Sequence, residues 1–368
     1  MSLTLIESSN ALGSLLSDNR HRAMVAVDTE FRRRDTFFPQ AALLQLCWGN
    51  EPYLIDPLQL DDLSALRAFL TDSSQTKLIH SASEDLEVFS HWLGVLPAPL
   101  FDTQRAAALV GLGAGQSYRA LVAHFFDIEL PKDETQSNWL QRPLTDAQAH
   151  YAALDVTYLH PIGVQLHNRA MECNRLDWVL EEGARLRPGG KPPIAKFKTA
   201  YRLQPEQQRV LAEVVEWREG EARQRDRPRS WILNDKIVMG VARTVPRSVR
   251  ELAAVEDMPQ GLVRRAGDDL VARIVDAVDS DTDQAPAVIP KPLASEQRGS
   301  VSMLSECLKE IAESLEIPAE VLMPKADLEH LVREQMNPSL AAPENWSGWR
   351  AETVVAPLRE RLKERAAS

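Results

Sequence analysis

The stretch AMVAVDTEF, residues 23 to 31, decides the fold. Its first residues are apolar and partly β-branched, as a buried strand is, and the run ends on two acids, Asp28 and Glu30. Residues i and i+2 of a strand point to one face, so these carboxylates would project together from a sheet. A buried pair of acids is costly unless a cation or partner offsets it. The triplet alone is weak evidence. D-x-E occurs four times, at Asp28, Asp85, Asp127 and Asp327, and only the first follows an apolar strand. Taken alone, the triplet is better explained as a solvated strand end.

Further strands are expected at 42–48, 52–56 and 77–80, with helices at 62–71 and 84–93. The order strand, strand, strand, helix, strand, helix predicts a mixed α/β sheet. Beyond residue 116 the pattern is helical: 117–126, then a long helix from Thr145 to about residue 170, whose TDAQ start has capping-box spacing. Two Pro-rich stretches interrupt the chain, RPGGKPPIAKFKTAY (187–201) and QAPAVIPKPLASEQRGS (284–300). Between and after them helix-spaced apolar residues dominate, such as Val210, Val214 and Trp217, or Leu270 and Ile274. The expected plan is an α/β domain over 1–186, a linker at 187–203, a small all-α domain over 204–283, a second linker at 284–300, and another helical domain over 301–368.

Three such domains suit a chain of 368 residues, and 44% apolar with 26% charged residues is the balance of a protein that buries real cores. The formal net charge of −11 argues mildly against a nucleic-acid partner, but it is unevenly spread. Residues 1–190 carry −9, 191–250 carry +7 and 251–368 carry −9. Cys47, Cys173 and Cys307 lie too far apart for a metal knuckle or disulfide framework, which suits a reducing cytosol. The start MSLTLIESSN lacks a basic region before an apolar core, and no apolar run nears the roughly 20 residues that span a bilayer. A cytoplasmic protein with no membrane contact is expected.

Two further acidic segments bear on the first. Ser81 and Glu84 have S-x-x-E spacing after the strand ending at His80, so a helix should begin there with Asp85 near its first turn. An acid at that place commonly does no more than answer the helix dipole. In HYAALD (150–155), Tyr151 and Asp155 are four apart and share one helix face. A helical tyrosine is ordinarily a core residue. Together, Asp28, Glu30, Asp85 and Asp155 make better sense as a hard-cation site than separately. Oxygen-only ligands suit Mg²⁺ or Mn²⁺, and the lack of a His/Cys cluster disfavours zinc. Two such cations can activate water and steady the leaving oxygen of a phosphodiester, with a tyrosine hydroxyl orienting the water.

VDTEF, HSASEDLEVF and HYAALD, in that order, resemble the three exonuclease motifs of the DEDD superfamily in its tyrosine-containing branch. KDETQSNWLQRPLT (132–145) is similar to the stretch before the third motif in the ribonuclease D family, with Trp139, Arg142, Pro143 and Leu144 matching. RELAAVEDMPQGLVRRAGDDLVARI (250–274) resembles the paired-helix core of an HRDC domain, and LMPKADLEHLV (322–332) with WSGWRAETVVAPL (346–358) resembles a second, looser version. The resemblance implies a ribonuclease H-like exonuclease domain, a mixed sheet with flanking helices, followed by two all-α HRDC-like domains.

For individual residues it implies that Asp28, Glu30 and Asp155 bind one catalytic metal. Asp28 bridges to a second metal held by Asp85, and Tyr151 with Glu30 aligns the nucleophile. Thr29 and Phe31 are candidate contacts for the terminal nucleotide. The implied reaction is hydrolysis from an RNA 3′ end with two divalent cations, Mg²⁺ or Mn²⁺, releasing nucleoside 5′-monophosphates. The implied substrates are tRNA precursors and other small structured RNAs, handled by a monomer with no obligate protein partner. The alternatives are a DNA-directed exonuclease and a non-catalytic HRDC adaptor; the intact acid and tyrosine set argues against the adaptor.

Outside the motifs, Arg32, Arg33 and Arg34 could steer phosphates or form a solvated turn. Arg223, Arg225, Arg227 and Arg229 alternate near Trp217 and Trp231. If extended, they would form a phosphate track, with Arg225, Arg227 and Arg229 as substrate contacts; if helical, they would spread around the axis. The Gly111, Gly113, Gly115 run is expected to be a loop.

Overall fold

A computed structural model describes residues 3–49, 51–130, 137–190, 192–279 and 289–367. Residues 132–136 of the quoted KDETQ segment, Lys191 of the first break and 284–288 of the second lie outside them. The described chain groups into two units, one formed by residues 1–32, 40–188 and 293–368, the other by 33–39 and 189–292.

The first unit is built on a six-stranded mixed sheet. Its strands are β1 (Thr4–Ile6), β2 (Met24–Arg32), β3 (Gln40–Cys47), β4 (Pro52–Ile55), β5 (Thr76–Ile79) and β6 (Leu100–Asp102), in spatial order β1-β4-β3-β2-β5-β6. β2 runs antiparallel to β3 and parallel to β5, so the strand bearing the acids is paired on both sides. Alternation along β2 sorts its residues between two layers. Val25 and Val27 enter a core with α1 (Ser9–Asn19), α2 (Ser64–Thr71) and α3 (Ser83–Leu93), through Leu12, Leu66 and Phe89 among others. Ala26 faces the other side, against Val156 and Leu159.

That second side is covered by α4 (Thr103–Leu109), α5 (Tyr118–Phe126), α6 (Asp146–Thr157), α7 (Leu159–Glu172) and α8 (Leu176–Arg185). The order read from the sequence for residues 23–93 is the order found. β1, α1 and β6 are additional, and three-residue strands are too short to display a period. The long helix expected from Thr145 begins there, with Thr145 Oγ1 accepting from the Gln148 N–H at 3.1 Å and Gln148 Oε1 accepting from the Thr145 N–H at 3.0 Å. It does not run unbroken to 170: α6 stops at Thr157, the residue whose carbonyl Pro161 cannot meet, lacking an N–H. The capping box expected at Ser81 is also absent. Ser81 takes a positive φ of 58°, and the Ser81 and Ala82 N–H groups donate instead to the Asp102 carboxylate at 3.3 and 3.0 Å. The glycine run at 111–115 lies in the loop between α4 and α5.

The second unit is helical: α9 (Pro205–Arg225), α10 (Arg229–Ile232), α11 (Asp235–Thr244), α12 (Val249–Ala253) and α13 (Gln260–Asp279). Val210, Val214, Leu270 and Ile274 share its core, as their spacing predicts. So does Phe37, from the short segment 33–39. The Asp226 carboxylate accepts the N–H groups of Phe37 and Phe38 at 2.9 and 3.0 Å, and the guanidinium of Arg229 lies 4.6 Å from the Phe37 ring.

The C-terminal helices α14 (Ser295–Leu315), α15 (Ala319–Leu322), α16 (Lys325–Met336) and α17 (Ala356–Ala367) belong to the first unit, sharing one core with α4, α5, α7 and α8. The junction is polar at its centre. Buried Glu182 of α8 accepts from Arg350 Nη1, from Arg105 Nη1 at 2.8 Å and from Trp349 Nε1 at 3.3 Å, while Trp178 and Trp349 stack with centroids 4.4 Å apart. At Gly183, a Cβ would fall 2.0 Å from the Leu100 carbonyl oxygen, so only glycine lets α8 seat on β6 so closely.

Removing one partner of a buried ion pair leaves the other charge uncompensated, a loss of about 3–5 kcal/mol, whereas replacing both with apolar groups is often neutral. Glu182→Leu should lower the urea midpoint of the first unit by a corresponding amount, followed by tryptophan fluorescence. Adding Arg350→Met should recover most of the loss.

Candidate metal centre

The centre forms where β2 meets α6. Asp28 and Glu30 share the face of β2 that carries Ala26, and Ala152 and Val156 bring α6 down onto that face. Asp155 lies between those two helical positions. One carboxylate oxygen each from Asp28, Glu30 and Asp155 lie within 4.8 Å of one another. The ladder places Asp28 opposite Gln45 and Glu30 opposite Leu43, with a bulge at Ala42 before Phe31 pairs with Ala41. Bulges re-aim side chains at the ends of strands.

Asp85 stands outside this trio but beside it. It is the third residue of α3, buried, and accepts a 2.5 Å hydrogen bond from Thr29 Oγ1. Thr29 points to the opposite face of β2 from its neighbours Asp28 and Glu30, so its hydroxyl is committed to Asp85. Phe31 sits half-buried at the end of the strand.

The electrostatics are those of acids held together with hydrogen bonds, chiefly from Thr29, as the opposing influence among the described residues. Burial raises Asp28 well above the usual carboxylate range and Asp155 adds to it, against one bond from the Thr29 backbone. Glu30 is pushed up to about 10, by burial first and then by Asp28, Asp155 and Asp85. Asp155 is pushed up to about 7 by burial and Asp85, and Asp85 is raised by burial and Asp28. Carboxyls that hold their protons this tightly when buried side by side create a place that strongly favours positive charge. An all-oxygen donor set at this spacing fits hard divalent cations.

Tyr151, one helical turn before Asp155, stands in the same field: burial, Asp155, Glu30 and Asp28 all raise its phenol. Its ring packs 6.0 Å from that of buried Trp139. The loop holding Trp139 is fixed by Arg142. Its Nε and Nη2 bind the two oxygens of buried Asp56 at 2.6 and 2.7 Å, Nη2 reaches the Ala42 carbonyl at 2.6 Å, and Nη1 reaches those of Trp139 and Gln141 at 2.8 Å. A planar fork is suited to such multiple capture. Asp56 sits 86 residues from Arg142 and carries no local signal. Tyr118, which no motif marks, donates to the Leu154 carbonyl at 2.7 Å beside Asp155. Gln45 is legible in principle, as a polar residue inside the apolar run ALLQLCW.

The basic stretch is not extended. Arg223 and Arg225 end α9, Arg227 follows it, and Arg229 opens α10. Arg225 pairs with Glu221 at 2.5 Å and Arg229 is bidentate on Glu219. Arg227 lies 5.8 Å from the ring of Trp231, which is 62% exposed. Arg33 donates its Nε to the Phe37 carbonyl at 2.9 Å.

A 3′-5′ exonuclease family matches residues 3–170 and the HRDC domain family matches residues 207–274. Ribonuclease D of Pseudomonas paraeruginosa is 39% identical over 351 residues, covering 94% of this chain and 93% of that protein. Ribonuclease D of Escherichia coli is 32% identical over 377 residues, covering 99% of both. The crystal structure of Escherichia coli RNase D, described as an exoribonuclease involved in structured RNA processing, superposes with a TM-score of 0.84 at 33% identity over 99% of both chains. Among the described residues, no helix is long and apolar enough to cross a membrane.

The raised carboxyls fix how stability depends on pH without cations. In the folded state these acids hold protons more tightly than in the unfolded chain, so stability falls as pH rises. The penalty is absent below about pH 4, where both states are protonated. It grows through about 7 for Asp155 and about 10 for Glu30. Melting temperatures in EDTA should therefore decline from pH 5 to pH 9, Mg²⁺ should restore more stability at the alkaline end, and Glu30→Gln should flatten both responses.

Proposed function

This chain belongs to the ribonuclease D family, and from that premise we propose how it works as a 3′-5′ exoribonuclease. The observation that carries the reading is the convergence of Asp28, Glu30 and Asp155 within 4.8 Å beside Tyr151. Nucleases of this kind use divalent metal ions. When bound, two cations, Mg²⁺ or Mn²⁺, supply an acidified water and stabilise charge on the scissile phosphate and its leaving oxygen.

The protein's own groups do the rest. Asp28, Glu30 and Asp155 would hold one cation, and Asp28 and Asp85 the other, with the Thr29 hydroxyl keeping Asp85 in place. Tyr151, braced by Trp139, would orient the attacking water with Glu30. The Thr29 backbone and Phe31 would contact the terminal nucleotide, whose release as a 5′-monophosphate frees the next one. Because the sheet and helix already hold the acids in position, little reorganisation is left for the reacting state. The substrates proposed are RNAs with a free 3′ end, among them tRNA precursors and small structured RNAs, met in the cytoplasm by a monomer. The division into an exonuclease domain (1–186), an HRDC domain (204–283) and an HRDC-like domain (301–368) belongs to the same proposal. Arg225, Arg227 and Arg229 are proposed RNA contacts, with Arg227 and exposed Trp231 the most available.

The test is a structured RNA with a 3′ single-stranded tail, and the matching DNA, incubated with Mg²⁺, Mn²⁺ or EDTA. Metal-dependent shortening of the RNA should occur and should fall by at least a hundredfold in Asp28→Asn. Preferential degradation of the DNA, or full activity in Asp28→Asn, would overturn the reading. For the basic stretch, Arg227→Ala should weaken RNA binding and reduce the slope of affinity against salt by about one. An unaltered slope would remove Arg227 from the interface.

A further inference from the structure

Gln45 is a strongly polar side chain in the otherwise apolar run of β3 between Ala42 and Cys47. It is fully buried, and among the described residues neither its amide nitrogen nor its amide oxygen has a hydrogen-bond partner. Buried polar groups are paired in the great majority of cases, because an unmade bond forfeits the hydration lost on burial. A leucine or methionine would fill the same volume without that loss. A fold that places an amide here has a use for it that packing does not supply.

The neighbours indicate the use. Gln45 is the direct cross-strand partner of Asp28. Opposed residues of an antiparallel pair project to the same face with Cβ atoms about 4.5–5.5 Å apart. The flanking positions identify that face: Leu43 belongs to the cluster with Ala152, and Cys47 to the cluster with Val156. Gln45 therefore lies in the layer between the sheet and α6, on the side where the three acids converge. An amide there offers two N–H donors and no charge. The hydrogen bond that favours the charged form of Asp28 comes from the Thr29 backbone. A neutral donor can orient a carboxylate without competing with a cation for it, as a lysine or arginine would.

We propose that Gln45 is a positioning residue for Asp28: in the cation-loaded protein its amide N–H donates to the Asp28 carboxylate and holds it in the ligating orientation. The inference rests on the reading of Asp28 as a cation ligand. Groups that orient metal ligands from outside typically contribute ten- to a hundredfold in metal affinity or activity. Gln45 is fully buried and acts through Asp28 on the cation, so it makes no contact with RNA of its own.

The test uses the full chain and the variants Gln45→Met, Gln45→Leu, Gln45→Glu and Asp28→Asn. Mn²⁺ affinity is measured by titration calorimetry, the metal-free melting temperature in EDTA, and kcat and KM on a tailed RNA. Expected for Gln45→Met, or for Gln45→Leu if the first folds poorly, is a metal-free melting temperature equal to or above that of the parent. Mn²⁺ affinity and kcat should each fall about tenfold, with KM unchanged. Gln45→Glu should lose at least as much, since it keeps the shape but replaces a donor with a second negative charge. Mn²⁺ affinity and kcat within twofold of the parent in the apolar variants would overturn the proposal, as would tighter Mn²⁺ binding by Gln45→Glu. If Asp28→Asn itself binds Mn²⁺ as the parent does, the underlying assignment of Asp28 fails, which is a separate result from failure at Gln45.

Discussion

Mutual repulsion among half-buried carboxylates is the constraint around which the first unit is organised. Asp28, Glu30 and Asp155 would move apart or turn to water if their backbones allowed it, since burial and one another's charge push Glu30 to about 10. They cannot, because each is carried on an element fixed on several sides. β2 is hydrogen-bonded to β3 and β5, and α6 starts from a reciprocal cap at Thr145 and presses small residues, Ala152 among them, against the sheet. Stability given up at the site is supplied by the two cores on either side of the sheet.

The groups that hold this arrangement are themselves charged, but paired. Arg142 ties the loop before α6 to β3 and to Asp56, so the strand opposite Glu30 and the helix bearing Tyr151 are referred to one guanidinium. Glu182 does the corresponding work at the seat of the C-terminal helices. Where the fold needs rigidity, it matches each of these buried acids with arginine. At the β2–α6 junction it gathers acids raised by burial and by one another, eased by hydrogen bonds from Thr29, and such a place favours a cation from solution.

How far the sequence reveals this depends on the range of each signal. The acids of β2 and the Tyr151–Asp155 pair are governed by periods of two and four, which can be read within one segment, and the structure places them on the faces those periods require. Asp85 stands in the first turn of α3 as its spacing predicts, but the cap expected from Ser81 is lost to Asp102, twenty-one residues away in the chain. Arg142 and Asp56 form a pair that no local pattern announces. For the arginines from 223 to 229 the sequence leaves extended and helical arrangements open, and the answer turns on where α9 ends, at Arg225. Pro161 marks the break between α6 and α7 by a rule that needs only the sequence.

The core of the helical unit includes Phe37, delivered by a seven-residue excursion from the β2–β3 connection. During synthesis that phenylalanine emerges some 170 residues before the α9 helix it packs with, so completing the core of this unit takes a contact across that span. Long-range closure of this kind slows folding and leaves an apolar group waiting for its partners. It also means that excising residues 189–292 would leave Phe37 without a core, a few residues along the chain from Glu30. A clean truncation of the helical module therefore requires redesign of the loop that follows the strand of the acids.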